Sequence, residues 1–180
     1  ISQAISASAC DAVFEALEVA RAGGRLVSYD TNLRLRLWPL ARARAVIHEA
    51  ARQADILLPG LDDARALTGH EDPDRILDFY LGMGPRIVAL TLGAAGAVIA
   101  TPERRLRLAG HRVAAVDATG AGDAFDGAFL AEYLRTGDPF AAGRLANAAA
   151  ALATTGFGAV APLPVRSAVE AFLASEGDGA

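Results

Sequence analysis

An α/β fold with a mainly parallel sheet is what this sequence predicts, on two observations. Three short β-rich runs, 25–30 (R-L-V-S-Y-D), 55–59 (D-I-L-L-P) and 86–92 (R-I-V-A-L-T-L), are separated by stretches long enough to hold helices. Parallel neighbours need such crossovers. After residue 92 the connections shorten to tight turns, which suit antiparallel neighbours.

The elements follow in order. Residues 8–22 place Val13, Leu17 and Ala20 on one helical face, and Gly23-Gly24 supplies the stop. The run 25–30 is the first strand. Residues 40–54 read as a helix, with Ala43, Ile47, Ala50 and Ala51 at i, i+4 and i+7/i+8. The runs 55–59 and 86–92 are the second and third strands. Gly93-Ala94-Ala95-Gly96 is a tight turn into A-V-I-A-T and then R-L-R-L-A, two further strands. A strand ending near Val116 is expected to lead into the glycine-rich 120–122, with a helix on to about Arg135. Pro139 opens another helix to about Thr154. Pro162 and Pro164 introduce a last helix over 165–174, and 176–180 should fray. No linker or repeat divides the chain, so residues 1–175 are expected to belong to one domain.

Composition narrows the function classes. Hydrophobic residues make up 53% and charged residues 21%, which excludes intrinsic disorder. Apolar runs are broken before they reach membrane-spanning length, so no membrane partner is expected. A net charge of -4 argues against binding nucleic acid by phosphate neutralisation. All 17 basic residues are Arg, and without Lys neither a Walker A loop nor a Schiff-base mechanism is available. The single cysteine, Cys10, fits a reducing, cytoplasmic setting. His48, His70 and His111 show no zinc-ligand spacing.

The segment richest in chemistry is Val116-Asp117-Ala118-Thr119-Gly120-Ala121-Gly122-Asp123-Ala124-Phe125. A glycine-rich turn becomes the start of a helix, where backbone N–H groups lack intrahelical partners and the dipole is positive. Gly120 and Gly122 let the backbone approach an anion without a Cβ in the way. Asp123 stands in the first turn as a carboxylate, placed to accept a proton from an attacking hydroxyl. These features alone are equally compatible with a plain helix start. The dinucleotide fingerprint G-x-G-x-x-G fails, because Phe125 occupies its third glycine position.

The stretch D-A-T-G-A-G-D-A-F-D-G-A-F-L resembles the C-terminal signature of the ribokinase (PfkB) family of carbohydrate kinases, D-T-x-G-A-G-D-x-F, with Ala118 where Thr is common. The resemblance implies a ribokinase-like three-layer α/β/α sandwich. It implies Asp123 as the base on a sugar hydroxyl and the amides of Gly120, Ala121, Gly122 and Asp123 as an anion hole for the transferring phosphoryl group. Asp117 matches a position that helps hold a monovalent cation such as K⁺. Thr91 to Gly96 resembles the L-G-x-x-G nucleotide turn, so Thr91, Gly93 and Gly96 are expected at ATP. Asn147 resembles the Asn along the adenine pocket, and Gly156 and Gly158 of G-F-G-A the turn beside nucleotide and cation. Taken alone, Asn147 on an Ala-rich helix could equally make a local polar contact.

Substrate is suggested by Tyr29-Asp30-Thr31-Asn32-Leu33-Arg34 and the following Leu37-Trp38-Pro39. Strand alternation would put Asp30, Asn32 and Arg34 on one side, at the carboxyl end of a strand where ligands collect. D-x-N-x-R-x-x-L-W-P resembles the 2-keto-3-deoxygluconate kinase and fructokinase branches, and a guanidinium suits a sugar-acid carboxylate. Arg34 and Arg36 could equally form a solvated face beside Trp38. The family's N-x-x-E becomes Gly60 to Asp63 here, leaving Asp63 as an outer-sphere Mg²⁺ carboxylate.

These readings imply ATP- and Mg²⁺-dependent phosphorylation of a sugar or sugar acid, by a homo-oligomer in the complete protein. Fructose, ribose or a nucleoside are the alternative substrates. A nucleotide-binding fragment without catalysis and a structural α/β module are the alternative classes. The resemblance covers only the C-terminal part of the family pattern. The N-terminal strands and lid are expected to be missing, leaving a raw sheet edge or apolar face.

Overall fold

Within residues 2–177, which the computed structural model describes, eight helices and five strands form. In chain order they are α1 (Ser2–Ile5), α2 (Ala7–Ala22), β1 (Ser28–Asp30), α3 (Leu40–Arg52), β2 (Ile56–Leu58), α4 (Leu61–Thr68), α5 (Pro73–Leu81) and β3 (Ile87–Thr91). Then come β4 (Gly96–Ala100), β5 (Arg105–Ala109), α6 (Ala121–Thr136), α7 (Pro139–Ala153) and α8 (Arg166–Gly177). The strands make one mixed sheet in the order β1-β2-β3-β4-β5. The described residues fall into two compact units, 2–91 with 100–105, and 92–99 with 106–177.

In the first unit β1, β2 and β3 are parallel, as their helical crossovers require. Tyr29 lies opposite Leu57, and Leu57 opposite Val88. All three residues of β2 are buried, which is why that strand reads as an uninterrupted I-L-L. The expected face of α3 is the observed one: Ala43, Ile47, Ala50 and Ala51 are all buried. Ala43 and Ile47 pack with Leu33, Trp38 and Leu67. Two helices between β2 and β3 had no counterpart in the sequence reading. Gly60 and Gly69 bound α4, while Asp72 caps α5 by accepting from the Asp74 N–H, with Pro73 as its first residue.

The second unit holds the 93–95 turn, the hairpin strands and the three last helices. The turn is a single 3-10 turn, closed by the Leu92 N–H donating to Gly96 O at 2.7 Å. A Cβ on Gly96 would lie 2.1 Å from the Leu108 carbonyl oxygen of β5, so only glycine fits there. Phe125, Phe129 and Tyr133 stack in sequence along α6, with centroids 6.1 and 6.3 Å apart, and both phenylalanines are buried. Asp138 caps α7 through the N–H groups of Phe140 and Ala141.

Three expectations are corrected. The first strand begins at Ser28 rather than residue 25. No strand precedes Val116 after β5; instead the Val116 and Asp117 N–H groups both donate to Thr154 O at the end of α7, at 2.7 and 3.1 Å. A helix-terminal carbonyl, free of an intrahelical donor, takes the place of a strand partner. The last helix runs on to Gly177, and Glu176 within it bonds His111. The rest of the expected frayed tail, residues 178–180, lies outside the described residues.

Helices α6 and α8 are joined by a charge network. Glu132 is buried and accepts from Arg135 at 2.7 and 3.0 Å and from Arg166 at 2.7 Å. The Arg135 guanidinium, with that of Arg166, holds the Glu132 carboxyl down to about 2, against the opposing effect of burial. A depressed carboxyl stabilises the fold above its unfolded value and loses that contribution as pH falls. Stability should therefore drop between about pH 4.5 and 2. Glu132→Gln should remove that part of the slope and cost about 2 kcal/mol at neutral pH, the scale of hydrogen bonds to a charged group. Chemical denaturation across pH measures both, and an unchanged acid slope in the variant would contradict the assignment.

Candidate active site

The start of α6 is built by backbone conformation. Gly120, its N-cap, has φ +78°, and a Cβ there would lie 2.8 Å from the Cα and Cβ of Ala159. The left-handed turn and the close approach of the 156–159 loop both demand glycine. Gly122 is different: apart from its chain neighbours and its own helix backbone, no atom lies within 4 Å of the Cβ it lacks. The Ala121 N–H donates to Ala118 O at 3.1 Å. First-turn geometry leaves the N–H groups of Gly122 and Asp123 without intrahelical partners. Asp123 is exposed in that turn and borders an apolar cavity of about 300 Å³ between α6, α7 and α8.

The approach to this turn is pinned by Asp117. Its Oδ1 accepts from the Thr119 N–H at 2.9 Å and the Thr119 hydroxyl at 2.7 Å. Its Oδ2 accepts from the Gly158 N–H at 2.9 Å. The Gly158 bond, then those from Thr119, hold the Asp117 carboxyl below the usual carboxylate range. Gly158 stands at φ +85°, and Gly156 packs against Pro162. Asn147 is buried on α7, where its Nδ2 donates to Ala109 O at 2.8 Å, tying α7 to the end of β5. Gly93 stands exposed at φ +59° in the 3-10 turn.

In the first unit Asp30, Asn32, Arg34, Asp63 and Thr91 lie at or beyond the carboxyl ends of β1, β2 and β3. Alternation does not place the first three, because β1 stops at Asp30. The Asn32 N–H donates to Asp30 Oδ1 at 2.9 Å and Asn32 adopts φ +31°, a turn rather than a strand. Asp63 meets this turn from α4: its Oδ2 accepts from the Leu33 N–H at 2.8 Å. Burial pushes the Asp63 carboxyl up, opposed by the Leu33 bond and by Arg34. Arg34 and Arg36 are exposed, whereas Trp38 is buried in the core. Thr91 ends β3, bridged to Gly60, with its N–H on Pro59 O at 3.0 Å.

The pfkB family carbohydrate kinase model matches residues 1–166. The chain belongs to the PfkB family of carbohydrate kinases. It is 34% identical over 178 residues to 2-dehydro-3-deoxygluconokinase of Bacillus subtilis (strain 168), covering 98% of this chain and 55% of that protein. A crystal structure of a ribokinase-II-type protein from E. coli with ATP and Mg²⁺ superimposes with a TM-score of 0.88 at 29% identity, over 96% of this chain and 56% of that one. A double mutant of fructokinase from Vibrio cholerae O395, bound to fructose, ADP and potassium, gives a TM-score of 0.88 at 33% identity, over 96% and 58%. The chain thus spans about half the length of the PfkB relatives it matches.

The ribokinase-like fold expected from the signature is the observed one. Among the described residues no helix is long and apolar enough to cross a membrane. No group of three or more His, Cys, Asp or Glu residues that could hold a metal occurs among them either. Sequence reasoning missed Thr119, which supplies two of the three bonds to Asp117; its place two residues after an Asp was the available signal. It also missed Arg166, whose partner Glu132 lies 34 residues away and carries no local signature.

Proposed function

We propose that this chain, through residues 1–175, is the C-terminal, nucleotide-binding and base-bearing portion of an ATP-dependent kinase for a 2-keto-3-deoxygluconate-like sugar acid. The observation that carries this reading is the α6 start, where the left-handed Gly120 opens a helix whose first turn presents unpaired amides beside the exposed carboxylate of Asp123. Asp123 accepts the proton of the attacking hydroxyl. The Gly120–Asp123 turn stabilises charge on the γ-phosphoryl oxygens, chiefly through the amides of Gly122 and Asp123, since that of Ala121 is directed at Ala118. Asp63 would hold Mg²⁺ through water, and the metal would supply charge neutralisation of the polyphosphate.

Thr91, Gly93, Gly96, Asn147, Gly156 and Gly158 are assigned to the nucleotide. Asp117 supports a monovalent cation such as K⁺ with its remaining acceptor capacity. Asp30, Asn32 and Arg34 recognise the sugar acid, the exposed Arg34 guanidinium pairing with its carboxylate. The setting is cytoplasmic and the complete enzyme a homo-oligomer. The likeness to the 2-dehydro-3-deoxygluconokinase of Bacillus subtilis supports the sugar-acid substrate. Fructose is the second reading, supported by the fructokinase likeness.

A coupled ADP-release assay over 2-keto-3-deoxygluconate, fructose, ribose and adenosine tests the substrate. Highest kcat/KM is expected for the sugar acid, and activity on the nucleoside alone would refute the role given to Arg34. The 180-residue chain by itself is expected to be a poor sugar kinase, because it spans about half of its relatives. Robust turnover by it would overturn that expectation.

A further inference from the structure

We infer that Asp117 is a positioning residue that sets the anion-binding turn by clamping it to the 156–159 loop. Its carboxylate is a double-sided acceptor. One oxygen takes both donors of Thr119, two residues on; the other takes the Gly158 N–H, 41 residues along the chain. An Asx turn would need only the first oxygen. The second reaches out to the loop whose next residue, Ala159, sits against Gly120. Thr154 O adds a third tie, receiving the N–H groups of Val116 and Asp117. Segments 116–120 and 154–159 are thereby fastened at Thr154, Asp117 and Ala159, and α6 leaves the junction in one direction.

The chemistry requires a carboxylate. An ionised Asp offers about four acceptor sites and no donor. Three are used here, so one remains for a cation, and the clamp and a cation role are compatible. Asn has the same shape but only one acceptor atom. Whichever way its amide turns, an NH₂ group would face either the Gly158 N–H or the two donors of Thr119. The positioning role rests on the kinase reading above; the clamp itself does not.

Two measurements on the 180-residue chain separate these. Amide hydrogen exchange at Gly158 reads the clamp directly. Asp117→Asn should accelerate it about tenfold, the equivalent of one lost hydrogen bond to a charged group. Thr119→Val, which keeps the carboxylate, should leave Gly158 protected, and Thr119→Ser should behave as wild type. Calorimetry with Mg-ATP and Mg-ADP reads the consequence. Asp117→Asn should shrink the preference for ATP over ADP by about tenfold, because only ATP carries the phosphate held by this turn. General destabilisation would weaken both ligands equally, and Thr119→Val covers the case in which the Asn variant does not fold, with an expected three- to tenfold loss of the same preference.

Unchanged Gly158 exchange in Asp117→Asn overturns the clamp. Faster exchange with an intact ATP preference overturns the positioning role. A loss of ATP preference seen in K⁺ but absent in tetramethylammonium, with Gly158 still protected, assigns Asp117 to the cation and also overturns it. If wild type binds neither nucleotide, the kinase reading fails, while the exchange experiment still decides the clamp.

Discussion

Asp123→Asn, made in an active preparation of the kinase, should lower kcat by about 10²- to 10⁴-fold while changing the Kd for Mg-ATP by less than about threefold. Asn keeps the first-turn geometry and the backbone amides but cannot accept the proton of the attacking hydroxyl. The side chain is exposed and takes no part in the core, so the folded state should not change. Phosphoryl transfer proceeds through a loose transition state, which puts most of the demand on positioning and charge stabilisation. The effect should therefore fall on kcat and not on nucleotide binding. Rapid-quench single-turnover measurements check this, and near-normal turnover would remove Asp123 from the role of base.

The two glycines of the turn should respond in opposite ways. Gly120→Ala forces a Cβ into a left-handed residue at a cost of about 1–2 kcal/mol. It also forces that Cβ to 2.8 Å from Ala159, and overpacking typically costs about 1–3 kcal/mol more. A loss of about 2–5 kcal/mol is expected, or roughly 4–20 °C in Tm for a domain of this size. ATP binding should be lost with it. Gly122→Ala meets open space within a helix, so the same change should stabilise by about 0.5–1 kcal/mol. ATP affinity should nevertheless fall, because the added methyl occupies the room a phosphate needs. Thermal melts with and without Mg-ATP compare the pair. If both variants were equally destabilised, or if Gly122→Ala bound ATP normally, the turn would not be the anion site.

Much of this was legible in the residues because it is local. The buried face of α3 follows from a 3.6-residue period, the β2 core strand from three consecutive aliphatics, and the tight turn from Gly93 and Gly96. The glycine-rich entry to α6 and its first-turn acid are consecutive in sequence, and they sufficed to point to the PfkB family, which the family match then established. What was misread has non-local causes. The approach to Val116 resembles a strand, but its donors are satisfied by the end of α7, 38 residues further on. Asp30, Asn32 and Arg34 alternate as in a strand, yet a side-chain bond from Asp30 turns the chain at Asn32.

By itself, then, the sequence determined the parallel α/β layout, the glycine turn with its acid, and the family, since each rests on residue periodicity or contiguous spacing. Only the tertiary structure decided why Gly120 must be glycine while Gly122 need not be for folding. It also revealed that Asp117 spends three acceptor positions on Thr119 and Gly158, and that Glu132 gathers Arg135 and Arg166. Those facts depend on which distant backbone comes within about 3 Å of a given atom, and hydrogen bonding and steric overlap act only at that range.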